Sequence, residues 1–154
     1  HATWVIPTEN EWYKAAYFAP KKNRKDAGYY TFPTQSDRVP LAVPPPGNRN
    51  SANYENAVGT YTLVGSYTTS KSFFGTVDQG GNVMEFLELF IGPCAATRGG
   101  SFQNNSLSLS SHLLWSACVA QIGLNSKFSD TGLRVVRLPD PRPVPFPLPQ
   151  SSTN

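Results

Sequence analysis

Asp78-Gln79-Gly80-Gly81-Asn82-Val83-Met84-Glu85-Phe86-Leu87 is the stretch on which the fold turns. The glycine pair marks a turn, because glycine enters left-handed backbone without a Cβ penalty, and Val83 to Leu87 reads as the strand that leaves it. Downstream, Arg98-Gly99-Gly100-Ser101-Phe102 reads as a second strand around another glycine pair, and Leu133 to Leu138 as a third, forming a buried edge of the core. Upstream, Thr62 to Tyr67 alternates enough to predict a strand, and Trp4-Val5-Ile6 is another short one. The clearest helix runs from Thr8 to about Phe18. Thr8 is a good N-cap, Glu11 at N3 completes a capping box, Trp12, Ala15 and Ala16 make the apolar stripe, and Pro20 stops it.

Between these elements the chain is irregular. From Lys21 to Ala57 nothing is periodic, Pro33, Pro40, Pro44, Pro45 and Pro46 interrupt it, and Asn48 to Asn56 is rich in asparagine. A compact domain carries so long an irregular stretch when the loop is functional or pinned by ions. Short strands, one or two helices and long loops give an α+β, loop-rich class. Residues 1–138 form the domain. Residues 139–154, with proline at every second position from Pro139 to Pro149, form an extended tail, a stiff spacer or an arm laid along the domain.

Composition removes several classes. Charged residues are 15% of the 154, against roughly 25% in an average domain, and 14 are proline, which argues against coiled coils and helical bundles. At 39% hydrophobic the chain is too apolar for wholesale disorder, yet no apolar run approaches the roughly 18 residues of a membrane span. The net charge of +3 is local: Lys21, Lys22, Arg24 and Lys25 cluster in a solvated loop without interleaved aromatics, so no nucleic-acid partner is expected. No charged stretch leads into an apolar core at the N-terminus, so no signal peptide is read there.

Searches for catalytic chemistry return little. Walker, GxGxxG, HExxH and GxSxG patterns are absent from the sequence. His112 in a serine-rich loop lacks the context of a hydrolase base, and Glu85 with Glu88 lacks that of an acid/base pair. Cys94 and Cys118 cannot make a zinc site by themselves, and they read by default as two unrelated buried thiols, with a disulfide between them as the alternative.

A resemblance emerges when the short motifs are taken in order. Ile6-Pro7-Thr8-Glu9-Asn10-Glu11-Trp12, then Asp78 to Phe86, then Arg98-Gly99-Gly100-Ser101-Phe102, then Gly132-Leu133-Arg134-Val135-Val136 resemble, in sequence, the motifs of the formylglycine-generating enzyme (sulfatase-modifying factor) family. The match covers residues 4 to 138, and the N-terminal portion of that family's domain has no counterpart. The resemblance implies a variant of the C-type lectin fold.

That family's oxidase binds copper through two cysteines just after the Arg98-like motif. The matching positions are Asn104 and Leu109 counting forward, or Ser106 and Ser111 counting back, and neither count meets a thiol. Soft sulfur ligands select Cu(I) and hydroxyls do not, so copper and oxidase activity are not expected.

The same ending is similar to the variable proteins of diversity-generating retroelements, in which asparagine codons between these last two motifs are mutated at adenines. From Gln103 to Thr131 most residues lie within the reach of such codons; Gln103, Trp115, Gln121 and Lys127 do not. The resemblance implies a non-catalytic ligand-binding protein whose variable face includes Asn104, Asn105, Leu107, Ser108, His112, Gln121, Asn125 and Phe128. Phe102, Trp115 and Leu133 are expected to be buried beneath it. The alternative is a truncated or degenerate relative of the oxidase, with a structural role or residual activity.

The resemblance also implies a calcium site, held by the side chains of Asp78 and Glu85 and the backbone oxygens of Gly81 and Val83, which suits hard oxygen donors in a loop. The other reading has Asp78 capping a turn and Glu85 paired with an arginine. The expected partner is a protein or other surface ligand, and a cell or virion surface is favoured over the cytoplasm.

Overall fold

The computed structural model describes residues 3–20, 27–92, 94–110, 115–117 and 128–139. The chain enters through β1 (Trp4–Val5) into helix α1 (Glu9–Tyr17). The N-cap forms as the sequence predicts: Thr8 N–H donates to Glu11 Oε2 at 2.8 Å and Glu11 N–H donates to Thr8 Oγ1 at 3.3 Å. Those bonds from Thr8 hold the Glu11 carboxyl below the usual range. The helix ends in a two-residue strand, β2 (Phe18–Ala19), before Pro20 is reached.

Among its described residues the irregular region contributes only two-residue strands, β3 (Gly28–Tyr29), β4 (Leu41–Ala42) and β5 (Ser51–Ala52). β2 pairs with β3 antiparallel, and β4 with β5 parallel. The longer strands follow: β6 (Met84–Ile91), β7 (Cys94–Arg98), β8 (Trp115–Ala117), β9 (Thr131–Leu133) and β10 (Val136–Arg137). The first four of these form a sheet ordered β8-β7-β6-β9, in which β6 is antiparallel to β7 and parallel to β9. β10 leaves that sheet and pairs antiparallel with β1, bringing the two ends of the domain together.

Three strand expectations change. Thr62 to Tyr67 is a turn, because its backbone donors go to side chains: Thr62 N–H to Asn82 Oδ1 at 2.7 Å and Gly65 N–H to Asp78 Oδ2 at 2.6 Å. The strand predicted over Arg98 to Phe102 instead lies N-terminal to it and ends at Arg98, since Gly99 and Gly100 adopt φ of +92° and +66°. Leu133 to Leu138 is broken into β9 and β10, and Leu133 is 60% exposed rather than buried.

Two apolar clusters hold the described part together. Trp12, Ala16 and Tyr17 of α1 pack on Leu87 of β6 and Ala96 of β7, which is why α1 lies against the sheet. Phe32, Ala52, Tyr54 and Leu109 make a second cluster among the loops. Around both, tyrosine hydroxyls donate to backbone carbonyls: Tyr17 to Leu109 O (3.1 Å), Tyr54 to Pro40 O (2.5 Å) and Tyr67 to Val43 O (2.7 Å).

Burial raises the proton affinity of all three phenols, Tyr67 to about 12, with the Asp78 charge adding to it. The folded state therefore holds a proton that the unfolded chain releases near pH 10, so this contribution is intact below about pH 10 and is lost as pH rises toward 12. Denaturant unfolding across that window should show falling stability, with a shallower fall in Tyr67→Phe. Equal slopes in the two proteins would contradict the assignment.

Cys94 is disulfide-bonded, not the free thiol expected. Cys118, the other cysteine of the sequence, lies outside the described residues, as do the basic cluster at 21–26 and the tail from residue 140. Among the described residues no helix is long and apolar enough to cross a membrane.

Candidate functional site

The motifs that stand far apart in sequence meet at one junction. Glu85, buried on β6, accepts from the Trp12 indole N–H at 2.6 Å and from Arg134 twice, Nε to Oε2 at 2.8 Å and Nη2 to Oε1 at 2.6 Å. Arg98, at the end of β7, pairs with Glu9 at the start of α1 through Nε at 2.8 Å, and its guanidinium lies 5.0 Å from the Tyr13 ring centroid. The Gln79 amide donates to Trp12 O at 3.3 Å, and Gly81 N–H to Gly99 O at 2.8 Å.

Two of the glycines are dictated by this closeness. A Cβ on Gly81 would stand 2.3 Å from Asn53 O, and one on Gly99 would stand 2.9 Å from Gln79 O. The motif residues thus form a knot that joins α1, β6, β7 and β9.

That knot decides how the calcium candidates are used. Asp78, Val83 and Glu85 do border one small cavity of about 120 Å³, but Arg134 borders it too. Its guanidinium donates to both Glu85 oxygens and to Val77 O at 2.9 Å. Calcium needs about six to eight oxygens directed at it. Here Glu85 is committed to a guanidinium and an indole, and Asp78 Oδ2 to the Gly65 N–H. The residues do not fit a calcium cage. Asp78 capping a turn and Glu85 paired with an arginine is the arrangement found.

The segment after Arg98 leaves the knot as a surface turn. Asn104 is half-buried and works as a brace: its Oδ1 accepts from Ser101 N–H (2.8 Å), and its carbonyl accepts from Glu55 N–H (2.8 Å). Asn105 caps a short 3-10 turn, Ser106–Leu109, by accepting from Leu107 N–H at 3.1 Å. Within that turn Leu109 is in the second apolar cluster and Leu107 is 68% exposed.

Ser108 departs from expectation. It is 2% exposed, because the absent side chain of Gly100 leaves room for it: a Cβ there would lie 2.7 Å from Ser108 Cβ. Phe128, at the far end of the segment, is 38% exposed. Gln103, not placed on the face by sequence reasoning, is exposed beside Asn105. Phe102 is buried as expected and Leu133 is not. His112, Gln121 and Asn125 lie outside the described residues.

Comparison with known proteins enters at this point. No family model and no curated protein matches the chain. Solved structures do, among them Treponema denticola variable protein 1, with TM-score 0.55 and 20% identity over 88% of this chain and 48% of that one, and CarF, with TM-score 0.52 and 25% identity over 89% and 48%. The fold is C-type lectin-like. This C-type lectin-like domain spans about half the length of both chains it matches.

The exposed set is testable by thermal shift. Gln103→Ala and Leu107→Ala should each move Tm by no more than about 2 °C, since exposed substitutions stay near 0.5 kcal/mol. Phe102→Ala should cost about 3–5 kcal/mol. A loss at Leu107 equal to that at Phe102 would make the turn part of the core.

Proposed function

We propose that this chain is a non-catalytic ligand-binding protein of the diversity-generating-retroelement variable-protein kind, with the segment between Ser101 and Gly132 as its changeable recognition surface. The observation that carries this is the construction of the turn after Arg98. Asn104, Ser108 and Leu109 fasten it from below while Gln103, Asn105 and Leu107 face outward. Side chains on such a turn change without disturbing the core. The likeness in fold to a variable protein supports the same reading.

A leucine and a phenylalanine among serines and asparagines suit contact with a protein or similar surface, with apolar anchors ringed by adaptable polar groups. The disulfide at Cys94 supports display at a cell or virion surface, since disulfides persist in oxidising surroundings.

Two measurements test the proposal. Natural copies of the gene should differ mainly at adenine positions of codons 103–131, and a uniform spread of differences along the gene would overturn the reading. Incubation with copper, oxygen and a Cys-x-Pro-x-Arg peptide should yield no formylglycine. Conversion would establish the oxidase instead.

A further inference from the structure

We propose that the cleft bounded by Tyr30, Arg49 and Lys71 is a second binding site, one for an anionic sugar: a polyhydroxylated ring carrying a carboxylate or a phosphate. It encloses about 660 Å³, within the usual range for small-molecule sites, and shares no residue with the segment after Arg98. The proposal is therefore independent of the recognition-surface reading.

Charge selects the ligand's sign. Arg49 and Lys71 both line the cleft, neither forms an ion pair with another described residue, and no carboxylate is among the lining residues. Guanidinium and ammonium groups left without a counter-ion favour a carboxylate or phosphate oxygen.

The rest of the lining selects hydroxyl groups. Thr68, Thr69, Ser36 and Tyr30 place hydroxyls around the cleft, and no leucine, isoleucine, valine or phenylalanine lines it, so an apolar ligand would find no matching wall.

The walls are held in place before any ligand arrives. Thr34 Oγ1 donates to Asn50 Oδ1 at 2.6 Å, and Asn50 Nδ2 donates to Arg38 O and Val39 O, each at 3.2 Å. Gln35 adopts φ of +57°, unusual for a residue with a side chain, and its amide donates to Lys71 O at 3.0 Å. Ser70 Oγ donates to Arg49 O at 3.3 Å, tying the Arg49 backbone to the 68–71 wall. Three loop segments, 34–36, 49–50 and 68–71, are thereby bound into one preformed rim, which lowers the ordering cost of binding.

Calorimetric titration of the full chain with glucuronate, a hexose phosphate, glucose and inorganic phosphate tests this. At least one of the two anionic sugars should bind at least about tenfold more tightly than both glucose and inorganic phosphate. The stronger of the two identifies the anionic group. Arg49→Ala/Lys71→Ala should remove that preference at unchanged Tm, both residues being exposed. Thr68→Val/Thr69→Val should weaken the sugar acid while leaving inorganic phosphate unaffected. Binding of inorganic phosphate as tight as that of both anionic sugars, equal binding of glucose, no binding of either anionic sugar, or full affinity in the Arg49/Lys71 variant would each overturn the proposal.

Discussion

Replacing Trp12 with alanine should cost about 3–5 kcal/mol of stability, the range for truncating a buried aromatic, and lower Tm by roughly 10 °C in a domain of this size. Trp12 is 1% exposed, lies edge-on to Tyr17 at 5.8 Å, and occupies the space that the missing side chain of Gly99 leaves open. Its indole N–H also satisfies the buried Glu85 carboxylate. Trp12→Phe separates the two roles: it keeps most of the ring but removes the donor, which should cost about 1–3 kcal/mol for the lost hydrogen bond to a charged group, with Arg134 Nε still serving the same oxygen. Urea unfolding of both variants measures the difference. A Trp12→Ala variant within about 1 kcal/mol of wild type would show that α1 does not rely on this contact.

Arg134→Met should be the second large effect. Glu85 would keep only the Trp12 donor and face a buried, unpaired charge. Breaking a buried pair costs about 3–5 kcal/mol, and because the Arg134 side chain is 24% exposed the expected loss is nearer 2–3 kcal/mol. Removing the carboxylate as well, in Glu85→Gln/Arg134→Met, should recover part of that loss, because the charge rather than the lost contact dominates. The double-mutant cycle decides it: an additive result would mean that Glu85 and Arg134 contribute independently, and the knot would not act as a unit. The same cycle bears on calcium. A carboxylate already neutralised by a guanidinium leaves added calcium little to bind, so calcium should not raise the wild-type Tm.

The two site regions were unequally legible. Glu85 and Asp78 stood out in sequence because the Gly80-Gly81-Asn82 turn and the strand after it are local signals, but their partners are remote. Arg134 lies 49 residues from Glu85, and the sequence contains ten Lys or Arg residues besides Arg134, Arg98 and Arg49 that could have filled its place. On the other face, Asn105 and Leu107 were read as exposed and are. Ser108, of the same polar composition, is buried by a glycine eight positions earlier in the chain. The cationic cleft left no mark in the sequence, since hydroxyls at 30–36 and 68–69 become neighbours only when three loops close on one another.

The sequence by itself determined whatever depends on a few neighbouring residues. The capping box at Thr8 and Glu11 starts α1 where the pattern predicts, Gly81, Gly99 and Gly100 take left-handed backbone, and Met84 to Leu87 lies in strand with Val83 just before it. The tertiary structure alone decided where backbone donors and uncovered faces end up. Thr62 to Tyr67 has a strand-like alternation, yet it turns because Asn82 and Asp78, 20 and 13 residues from their partners, take its N–H groups. Leu133 has the pattern of a core strand and is exposed because β9 pairs with β6 through its backbone while no described element covers its side chain. Capping and φ preferences are energies of adjacent residues, whereas a hydrogen-bond partner or a covering layer is supplied by another part of the chain once loop closure has brought it near.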